Sequence, residues 1–502
     1  MRIWTSYLGW LGLSALTGQS VYAWAGEEVL HRLAADEVEG PILSADGSQW
    51  ALKVRRGGDW FLVLAQQEIG PFQMLGKVAL AGDGLLAVAK EREGHSVVYW
   101  GGDIAARYET IFAAELSVQG QQWGAVVEKD GRDYIVVNGD EFGPYRYEPL
   151  ERRQRLVFAP GESHWGGWGI KASKAMVVLN GQEVASHDEV ANLIFTADGS
   201  FGYTSTDRDA HHVSYGSRVW GPYDSEGQLV TSIDGKAWGF WTASGHLVVN
   251  NQLWGPYDQT GGPVFSRDSS LWGTWISRDG RKFVLVDGEE YGPYNQVSMP
   301  HFSADALAWS AAVTKDDAHY LLVGGEEYGP FSEALGVDFA PDSAVRALSV
   351  AKEPGAFYYM IGKKEYGPYA KLGPLSFSGE GKKWVFAAER ASVALAVVSG
   401  KENAAYDEVE AVAISLDASV WGYCARKGEG DEARHFLNIN GIEYGPYLAM
   451  VQLGLLGEDN LSALALRQDE GEFELIRVTG HTGRGIRGRR ATEADSKRRF
   501  PV

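Results

Sequence analysis

A phrase of about 37 residues recurs along this 502-residue chain, and its period constrains the fold more than any other feature. Each copy combines a Gly-Pro-aromatic triplet with a Ser-x-Asp-x-x-x-Trp segment further on. Following the Trp position through the degenerate copies gives twelve repeats. Repetition at this period is typical of arrays of small supersecondary units that bury their cores against one another. The complete triplets stand at residues 70–72, 143–145, 221–223, 255–257, 292–294, 329–331, 367–369 and 445–447.

The copy from Tyr257 to Gly292 shows what each unit should be. Four short apolar or aromatic runs, at 264–266, 272–276, 283–286 and 290–291, are separated by turn-forming residues, which predicts four strands. The Pro of the triplet cannot donate a backbone hydrogen bond, so it belongs at an edge or at the start of a strand. The repeated Asp can close an Asx turn. The repeated rings, each burying roughly 150–250 Å², should pack neighbouring repeats together.

The phrase Phe-Ser-x-Asp-Gly with a following Trp, an apolar strand and Asp-Gly-x-Glu resembles the WD40-like (PD40) repeats of TolB-type β-propellers. This resemblance extends from about Val38 to Arg477 and implies an all-β fold built from blades. Because one propeller usually has four to eight blades, about twelve repeats favour two tandem propellers. A single large ring and an open solenoid remain alternatives. The predicted segments are a signal peptide (1–25), two propellers of about six repeats each (26–257 and 258–480) and a basic tail (481–502).

The two ends of the chain differ in composition from the repeats. Arg2, an apolar stretch and Ala23-Trp24-Ala25 form the pattern of a secretory signal peptide, which predicts export to the periplasm or the extracellular space. We expect cleavage rather than a retained membrane anchor. Seven of the last nineteen residues are basic, which predicts a disordered cationic tail. That tail could contact an acidic surface, formed by lipid phosphates, nucleic acid or the acidic repeats, or it could stay solvated.

The repeats themselves are acidic and contain no recognisable catalytic motif. The net charge of −20 argues against nucleic acid or anionic lipid binding by the body of the protein. No P-loop, Rossmann glycine pattern or His-Glu-x-x-His motif occurs, so we predict no catalytic residue and no cofactor. Cys424, the only cysteine, is expected to be a buried apolar residue. Glutamates recur four residues before the aromatic position, which favours a structural role over a catalytic one: Glu141, Glu183, Glu290, Glu327, Glu365, Glu402 and Glu443.

One irregular stretch contains two carboxylates beside two histidines, Asp207, Asp209, His211 and His212. These side chains are candidate metal ligands by type. Adjacent histidines on a strand point to opposite sides, and the spacing matches no established metal site. A solvated loop is therefore the alternative interpretation.

A second irregular stretch is an insertion in the fourth repeat. It contains Arg152, Arg153 and Arg155, followed by Trp165 and Trp168. Exposed Trp and Arg side chains are enriched at protein interfaces, so these five residues are candidates for contact with a partner or a glycan. Ordinary packing of the two tryptophans is the alternative.

Together these observations predict an exported, non-enzymatic β-propeller scaffold that binds a protein or a component of the cell envelope. A first alternative is a glycan-active hydrolase or lyase with its site at a channel mouth. A second alternative is a structural spacer in a surface layer.

Overall fold

The computed structural model describes residues 23–44, 49–82, 84–146, 156–161, 164–342, 345–455, 460–469 and 471–482. Fifty β-strands form twelve antiparallel sheets, which we call blades 1 to 12 in chain order. Within the described residues, the single 3₁₀ turn at Gly430–Glu432 is the only helical element. The prediction of an all-β propeller arrangement built from about twelve four-stranded repeats is confirmed.

The chain begins with β1 (Ala23–Leu33), which belongs to the last blade. Blades 1 to 4 each contain four strands in chain order. They are β2 (Glu37–Leu43), β3 (Trp50–Arg56), β4 (Asp59–Leu64), β5 (Glu68–Phe72); β6 (Met74–Ala81), β7 (Gly84–Lys90), β8 (Ser96–Trp100), β9 (Asp103–Tyr108); β10 (Thr110–Leu116), β11 (Trp123–Lys129), β12 (Arg132–Val137), β13 (Asp140–Tyr145); β14 (Leu156–Phe158), β15 (Trp165–Lys171), β16 (Lys174–Leu179), β17 (Gln182–His187).

Blades 5 to 8 follow the same order, except that the first strand of blades 7 and 8 is split in two. Their strands are β18 (Glu189–Phe195), β19 (Phe201–Asp207), β20 (Ala210–Tyr215), β21 (Arg218–Tyr223); β22 (Gly227–Thr231), β23 (Trp238–Thr242), β24 (Leu247–Val249), β25 (Gln252–Trp254); β26 (Gln259–Thr260), β27 (Val264–Phe265), β28 (Trp272–Arg278), β29 (Arg281–Val286), β30 (Glu289–Tyr294); β31 (Gln296–Val297), β32 (His301–Phe302), β33 (Trp309–Lys315), β34 (Ala318–Val323), β35 (Glu326–Phe331).

Blades 9 to 11 are regular, and blade 12 combines the last three strands with β1. Their strands are β36 (Glu333–Phe339), β37 (Arg346–Glu353), β38 (Ala356–Ile361), β39 (Lys364–Tyr369); β40 (Lys371–Phe377), β41 (Trp384–Arg390), β42 (Val393–Val398), β43 (Lys401–Tyr406); β44 (Glu408–Ile414), β45 (Trp421–Lys427), β46 (Arg434–Ile439), β47 (Ile442–Tyr447); β48 (Ala449–Leu455), β49 (Leu461–Asp469), β50 (Glu472–Thr482).

The turns of a blade have the chemistry that the repeat predicts, as blade 7 shows. Ser266 donates its hydroxyl to Asp268 at 2.8 Å, and the Ser270 N–H donates to the same carboxylate at 3.0 Å, which closes the Asx turn. Between β28 and β29, Asp279 and Gly280 both have positive φ, as a two-residue type I′ hairpin requires. Seven of the eight Gly-Pro pairs of the triplet lie in the fourth strand, at the edge of the sheet, as expected for Pro, and Gly255-Pro256 directly follows β25.

Blade 12 joins the two ends of the described chain. Its strand order is β48, β49, β50 and then β1, so the N-terminal strand forms the outer edge of the C-terminal sheet. Glu28 pairs with Arg477 in the antiparallel register. Both β1 and β50 are 11 residues long, whereas a regular fourth strand such as β13 has 6. The longer ladder supplies more backbone hydrogen bonds where no covalent connection holds the two strands together.

The core is a series of twelve hydrophobic clusters, one between each pair of consecutive blades. The last cluster packs Leu464 and Leu475 of blade 12 against Trp50 of blade 1. Another packs Leu247 of blade 6 against Trp272 of blade 7, across the predicted domain boundary at 257/258. The packing therefore passes through all twelve blades as one cycle. This corrects the expectation of two tandem propellers, 26–257 and 258–480, in favour of the single-ring alternative.

The orientation of the blades defines an inner wall, an outer rim and two faces. First strands of neighbouring blades approach each other, as β18 and β22 do, so they lie innermost and fourth strands lie on the rim. In an antiparallel blade, the links between strands one and two and between strands three and four lie on one face. The links between strands two and three, and from each fourth strand to the next blade, lie on the opposite face, which we call the connection face.

The predicted terminal segments fall mostly outside the described residues. Of the predicted signal peptide, residues 23–25 form the start of β1 and the rest is not described. Of the predicted basic tail, residues 481 and 482 end β50, and residues 483–502 lie outside the described ranges. In the described part of the chain, no helix is long and apolar enough to cross a membrane.

Candidate functional site

A charged pair recurs on the rim of the regular blades. Its basic member lies six residues after the Trp position on the second strand, and its acidic member is the repeated Glu of the fourth strand. Both side chains face the preceding blade, in the outer groove between two blades. The observed pairs are Arg56–Glu68 (2.8 Å), Lys129–Glu141 (2.7 Å), Lys171–Glu183 (2.9 Å), Arg278–Glu290 (2.8 Å), Lys315–Glu327 (3.4 Å), Lys352–Glu365 (2.5 Å), Arg390–Glu402 (2.7 Å) and Arg467–Glu27 (3.4 Å).

A tyrosine hydroxyl from the preceding blade donates to the repeated Glu in six grooves, and in five of these the Glu also has its basic partner. It belongs to the aromatic residue of the repeat phrase and donates to the same Glu. We call the three side chains, Tyr, Glu and Lys or Arg, the clamp. The Tyr–Glu contacts are Tyr108–Glu141 (3.3 Å), Tyr145–Glu183 (3.4 Å), Tyr294–Glu327 (3.0 Å), Tyr369–Glu402 (3.2 Å), Tyr406–Glu443 and Tyr447–Glu27.

The clamp gives the repeated glutamates a structural role. In groove 2/3, between blades 2 and 3, burial and the Glu141 carboxylate raise the pKa of Tyr108 to about 12. The tyrosine therefore stays neutral and donates its proton to the carboxylate at any ordinary pH. Glu141 also accepts from Lys129, so the groove contains a satisfied acidic group. This supports the interpretation of the glutamates as structural, since in five grooves the carboxylate has both a tyrosine and a basic partner.

Three blades lack both charged members of the clamp. Blade 2 has Glu91 at the basic position and Ile104 at the acidic one, and the preceding blade offers Phe72, which has no hydroxyl. Blade 5 has Asp207 and Val219 at these positions, and blade 6 has Ser244 and Leu253; these substitutions are read directly from the sequence. Blades 5 and 6 are neighbours, so the rim changes character there over two successive grooves.

In groove 4/5, a histidine and an aspartate replace the clamp. His187 stands at the aromatic position of blade 4, and its Nδ1 lies 2.7 Å from Asp207 Oδ2. Its Nε2 lies 3.3 Å from the Tyr203 hydroxyl. Asp207 also accepts the Asp188 N–H at 3.2 Å. This candidate metal ligand therefore serves as the acceptor that joins two blades, and Val219 is left exposed beside it.

The other three candidate metal ligands point in different directions. Asp209 lies in the turn between β19 and β20, with φ of 68°. His211 Nδ1 lies 3.1 Å from the Thr206 hydroxyl, facing blade 6. His212 is paired across the sheet with Ser205, on the face toward blade 4. Among the residues that the structure describes, no three His, Cys, Asp or Glu side chains are placed to hold a metal ion. Metal binding by Asp207, Asp209, His211 and His212 stays a prediction.

In groove 5/6, hydroxyl and imidazole groups replace the clamp. The Ser244 hydroxyl lies 3.1 Å from that of Ser225 and 3.0 Å from that of Thr242. His246 Nδ1 lies 3.4 Å from Ser244 Oγ. The hydrogen bond from Ser244 keeps the pKa of Asp224 below its ordinary value. Asp224 thus accepts a hydrogen bond from the serine and has only a weaker charge interaction with His246, which differs from the order of a Ser-His-Asp relay, where the acid orients the base.

Blades 5 and 6 also border a small open cleft on the connection face, with room for about one water molecule. Blade 5 contributes Glu189, Thr206 and His211 to its wall, and the connection to blade 6 contributes Glu226 and Gly227. No Lys or Arg is among the described residues that line it. The cleft therefore combines carboxylates with hydroxyl groups and an imidazole, a donor set that suits a cationic or strongly hydrogen-bonding ligand.

The residues predicted to contact a partner in the fourth repeat are placed differently. Trp165 is buried in the cluster between blades 3 and 4, and Trp168 in the cluster between blades 4 and 5. Their rings cannot be reached from the surface, so the partner role predicted for these two tryptophans is corrected to interior packing. Arg152, Arg153 and Arg155 lie outside the described residues. Cys424 is buried, and burial raises the pKa of its thiol to about 12.

Groove 5/6 was not identified from the sequence, although a signal was available. The basic residue six positions after the Trp position recurs as regularly as the Glu, and both are absent from the same three blades. Aligning the two positions together would have singled out blades 2, 5 and 6. The structure adds the solvent exposure of these positions, which an alignment cannot give. Val219 and Leu253 are 66% and 59% exposed on the rim.

Comparison with known proteins finds only distant structural similarity. No protein-family description matches this chain, and no curated protein matches it. Similar solved structures include the Dos1 propeller, 13% identical with a TM-score of 0.28, covering 62% of this chain and 97% of that one. They also include the β-propeller domain of Cps50 (Swd1) from Myceliophteria_thermophila, 12% identical with a TM-score of 0.23, covering 65% and 96%. A third is KlHsv2 with loop 6CD replaced by a Gly-Ser linker, 10% identical with a TM-score of 0.26, covering 58% and 98%.

Proposed function

We propose that this protein is an exported, non-enzymatic scaffold that binds another protein through the outer rim of blades 4 to 6. The observation that carries the proposal is the run of exposed aliphatic side chains on three consecutive fourth strands. Val184, Val219 and Leu253 are exposed by 50%, 66% and 59%. We call these three residues the apolar rim.

The apolar rim stands out because most of the outer edge is organised by charge. Val219 and Leu253 occupy the position at which the regular blades have the clamp glutamate. Beside them, Trp220 and Trp254 are only partly buried, packing on Trp238 and Trp272 at ring distances of 5.1 and 5.3 Å. Exposed apolar groups on neighbouring elements mark interaction surfaces, because water disfavours contiguous apolar area. A protein partner can cover several blades at once.

Export is supported by the sequence of the first 25 residues and by the resemblance of the repeats to those of TolB-type propellers. The charged residue, the apolar run and the Ala-Trp-Ala site have the order of a secretory signal. Cleavage after Ala25 would leave Gly26 at the start of the mature protein, one residue before the clamp residue Glu27. Expression in a secreting host followed by N-terminal sequencing tests this part of the proposal. A mature protein that retains Arg2 would contradict it.

A non-enzymatic role is supported by the hydrogen bonds and ion pairs that the repeated polar groups make within the fold. The clamp glutamates are held by tyrosine and a basic residue, and the turn aspartates by serine hydroxyls and backbone N–H groups. In groove 5/6, Ser244 has Asp224 and His246 as neighbours, but the acid does not orient the histidine. A binding role uses the surface that these groups leave free, namely the apolar rim.

Site-specific photocrosslinking tests the proposal directly. A benzoylphenylalanine residue at position 219 or 253, in the protein produced in its own cells, should give a discrete adduct with one protein. The same probe at Ile442 is the matched control, since this residue is also exposed, by 56%, on the fourth strand of blade 11. The double change Val219→Glu and Leu253→Glu should abolish binding of that protein. Equal adducts at all three positions, or none at 219 and 253, would refute the proposed surface.

A further inference from the structure

Blades 9 and 10 carry a cluster of lysines on the face opposite the connection face. We call it the Asx face, because the Asx turns between first and second strands lie there, together with the links between third and fourth strands. Five exposed lysines lie in these links of blades 9 and 10 or begin the strand that follows: Lys363, Lys364, Lys382, Lys383 and Lys401. We call them the lysine patch.

The lysine patch reverses the charge that the two preceding blades have at the same position. The first residue of the fourth strand is Glu289 in blade 7 and Glu326 in blade 8. It is Lys364 in blade 9 and Lys401 in blade 10. In blade 7, Glu289 accepts a hydrogen bond from the Tyr291 hydroxyl at 2.6 Å. No described side chain forms an ion pair with Lys364 or Lys401, so their charges face the solvent.

A backbone hydrogen bond brings the lysines of blade 10 together. Lys382 and Lys383 end the link between β40 and β41, and Lys401 begins β43. Between them, the Ser399 N–H donates to the Trp384 carbonyl oxygen at 2.8 Å. Because Trp384 follows Lys383 and Ser399 lies two residues before Lys401, the two links lie side by side on the Asx face.

Further contacts connect this area to blade 9. Gly400 lies against the ring of Tyr366, which is two residues after Lys364 on β39. Closer to the ring axis, the Asp342 N–H of blade 9 donates to the Gly379 carbonyl oxygen of blade 10 at 2.9 Å. The lysine patch is therefore one continuous area that spans two blades, from their Asx turns to the rim.

Few carboxylates offset the lysine patch. Within the links of blades 9 and 10 on the Asx face, the described acidic residues are Asp342 and Glu380. Glu380 pairs with Lys382. The neighbouring rim glutamate, Glu365, lies 2.5 Å from Lys352 and is thus already paired. Five lysines against two carboxylates leave a net positive charge on this part of the surface.

This local charge is opposite in sign to that of the whole protein, which is −20. Salt screens charges over about 8 Å at physiological ionic strength, so groups on the other blades contribute little to an interaction at this face. The net charge therefore argues against lipid binding by the acidic blades, but not by the lysine patch. An anionic surface in contact with this part of the Asx face meets the lysines first.

The arrangement of the lysine patch fits a flat partner. Its members lie in links at one end of neighbouring blades, so they stand on a surface rather than around a cavity. Lysine provides a compact charge on a flexible stem, whereas arginine provides the fixed fork that holds a single carboxylate or phosphate by two hydrogen bonds. A set of such point charges suits a layer of many anions, and each lysine near an anionic bilayer adds to the attraction.

The basic tail begins on the same face. β50 starts after the link on the connection face and ends at Thr482 on the Asx face. Residues 483–502 follow directly and contain seven Lys and Arg residues against two acidic ones. One blade separates blade 12 from blade 10. The chain thus attaches a second basic element on the side of the ring that carries the lysine patch.

We propose that the Asx face of blades 9 and 10 docks on an anionic lipid bilayer through the lysine patch. The basic tail adds a second contact to the same bilayer. In this orientation the plane of the ring lies along the bilayer, and the apolar rim of blades 4 to 6 points sideways, where a protein partner can reach it. The inference adds a membrane surface to the proposed function and holds without it.

Co-sedimentation of the full-length protein with lipid vesicles tests the proposal. We expect binding to vesicles of phosphatidylcholine mixed with phosphatidylglycerol, and none to vesicles of phosphatidylcholine alone. Binding should weaken as sodium chloride is added, because salt screens the lysine charges. Binding to both kinds of vesicle, or to neither, would contradict the proposal.

Charge reversal in the lysine patch provides the second arm of the test. Lys364→Glu with Lys401→Glu introduces the residue that blades 7 and 8 have at this position, so the fold should tolerate it. Since one lysine near an anionic bilayer strengthens binding about fivefold, the loss of two should weaken it at least about 25-fold. The matched control is Lys90→Glu with Arg281→Glu, an equal change of charge at exposed positions of the connection face. Equal binding by the two double variants would overturn the inference.

A full-length chain with a neutral tail separates the tail from the lysine patch. Replacing every Lys and Arg of residues 483–502 by Gln should weaken binding to the mixed vesicles without abolishing it. Complete loss would assign the contact to the tail alone. Equal melting temperatures of wild type and variants show that differences in binding do not reflect unfolding, and the comparison of vesicles uses the wild type only.

Two further measurements identify the anion. Inorganic phosphate should displace the protein from mixed vesicles no better than sodium chloride at equal ionic strength. Stronger displacement by phosphate would assign the lysines to a site for the free ion. Retention of the protein on a polyglutamate resin without binding to mixed vesicles would assign this face to an acidic protein instead of a bilayer.

Discussion

Blade 12 differs from blades 5 and 6 in whether the clamp is present. In blade 12 the clamp is complete, although Glu27 and Arg467 come from the two ends of the chain and Tyr447 from blade 11. In blades 5 and 6, where the chain is continuous, the clamp is absent. The comparison teaches that the clamp is retained in the blade whose edge strand has no covalent link to its neighbouring strand, and that it can be lost where a surface acquires another use.

Blade 12 also has an ionic group that the regular blades lack. Glu474 is only 1% exposed, and it lies 2.7 Å from Arg32 of β1 and 2.7 Å from Arg467 of β49. Arg467 in turn reaches Glu27, so the N-terminal and C-terminal strands share one charge network. A buried carboxylate between two guanidinium groups is destabilising if one partner is removed, because the remaining charges stay buried. The stability of blade 12 thus depends on every side chain of this charge network.

The largest expected effect is on Glu474. Replacement by Ala should lower the free energy of unfolding by about 1.5–3 kcal/mol, the usual loss for hydrogen bonds to a charged group, since it removes the carboxylate that Arg32 and Arg467 share. Urea denaturation followed by tryptophan fluorescence measures the change. Glu365→Ala, which breaks a largely exposed pair with Lys352, is the control and should cost at most about 1 kcal/mol. Equal losses of stability in the two variants would show that the buried charge network of blade 12 contributes no more than an exposed ion pair.

The second effect is a loss of stability at high pH. Burial first, and the neighbouring carboxylate second, raise the pKa values of Tyr145 and Tyr369 to about 12. Because these folded-state pKa values exceed the ordinary value of about 10, the contribution of each Tyr is fully present below pH 10. It is lost as the pH rises from 10 to 12. Thermal unfolding at pH 9, 10.5 and 12 should show this decline, and a constant melting temperature would argue against the clamp.

A smaller effect separates the complete clamps from groove 5/6. Tyr145→Phe removes the hydroxyl that donates to Glu183 and should cost about 1 kcal/mol. Tyr223→Phe, in the groove without a clamp glutamate, should cost less. Chemical denaturation of the two single variants gives the comparison. A greater loss from Tyr223→Phe would mean that groove 5/6 is held by contacts of the same strength as a clamp.

The smallest effect on stability comes from rebuilding a clamp. Ser244→Lys with Leu253→Glu restores both charged positions opposite Tyr223 and should add at most about 0.5 kcal/mol, as expected for an exposed pair. The same change should abolish capture of the partner, because it replaces Leu253 of the apolar rim by a charged residue. If the variant with the rebuilt clamp still binds the partner, the absence of the clamp from groove 5/6 is unrelated to partner binding.

The sequence was sufficient for the fold of each blade but not for the closure of the ring. The strand at Trp272–Arg278 and the Asp279-Gly280 hairpin follow from local patterns, because turns and alternating side chains are encoded within a few residues. Pairing of β1 with β50 joins residues at the two ends of the chain. No local pattern encodes it, and β1 lacks the Gly-Pro-aromatic triplet that marks the fourth strand in eight of the other blades.

The sequence alone predicts only part of the candidate site. The stretch 207–212 was recognised as irregular, which located blade 5 correctly. Its neighbours across the groove, Ser244 and Leu253, look ordinary by themselves and become informative only when compared with the clamp positions of other blades. Trp165 and Trp168 misled the sequence interpretation for a related reason, since burial depends on the neighbouring blade and not on the local sequence.

The central claim is that twelve blades close as one ring, with β1 as the outer strand of the last blade. Electron cryo-microscopy of the purified protein tests it most directly, through projections viewed along the ring axis. The account predicts one closed ring of twelve radial blades, with continuous density from β1 to β50. Two separate rings of six blades, each closed on itself, would contradict it.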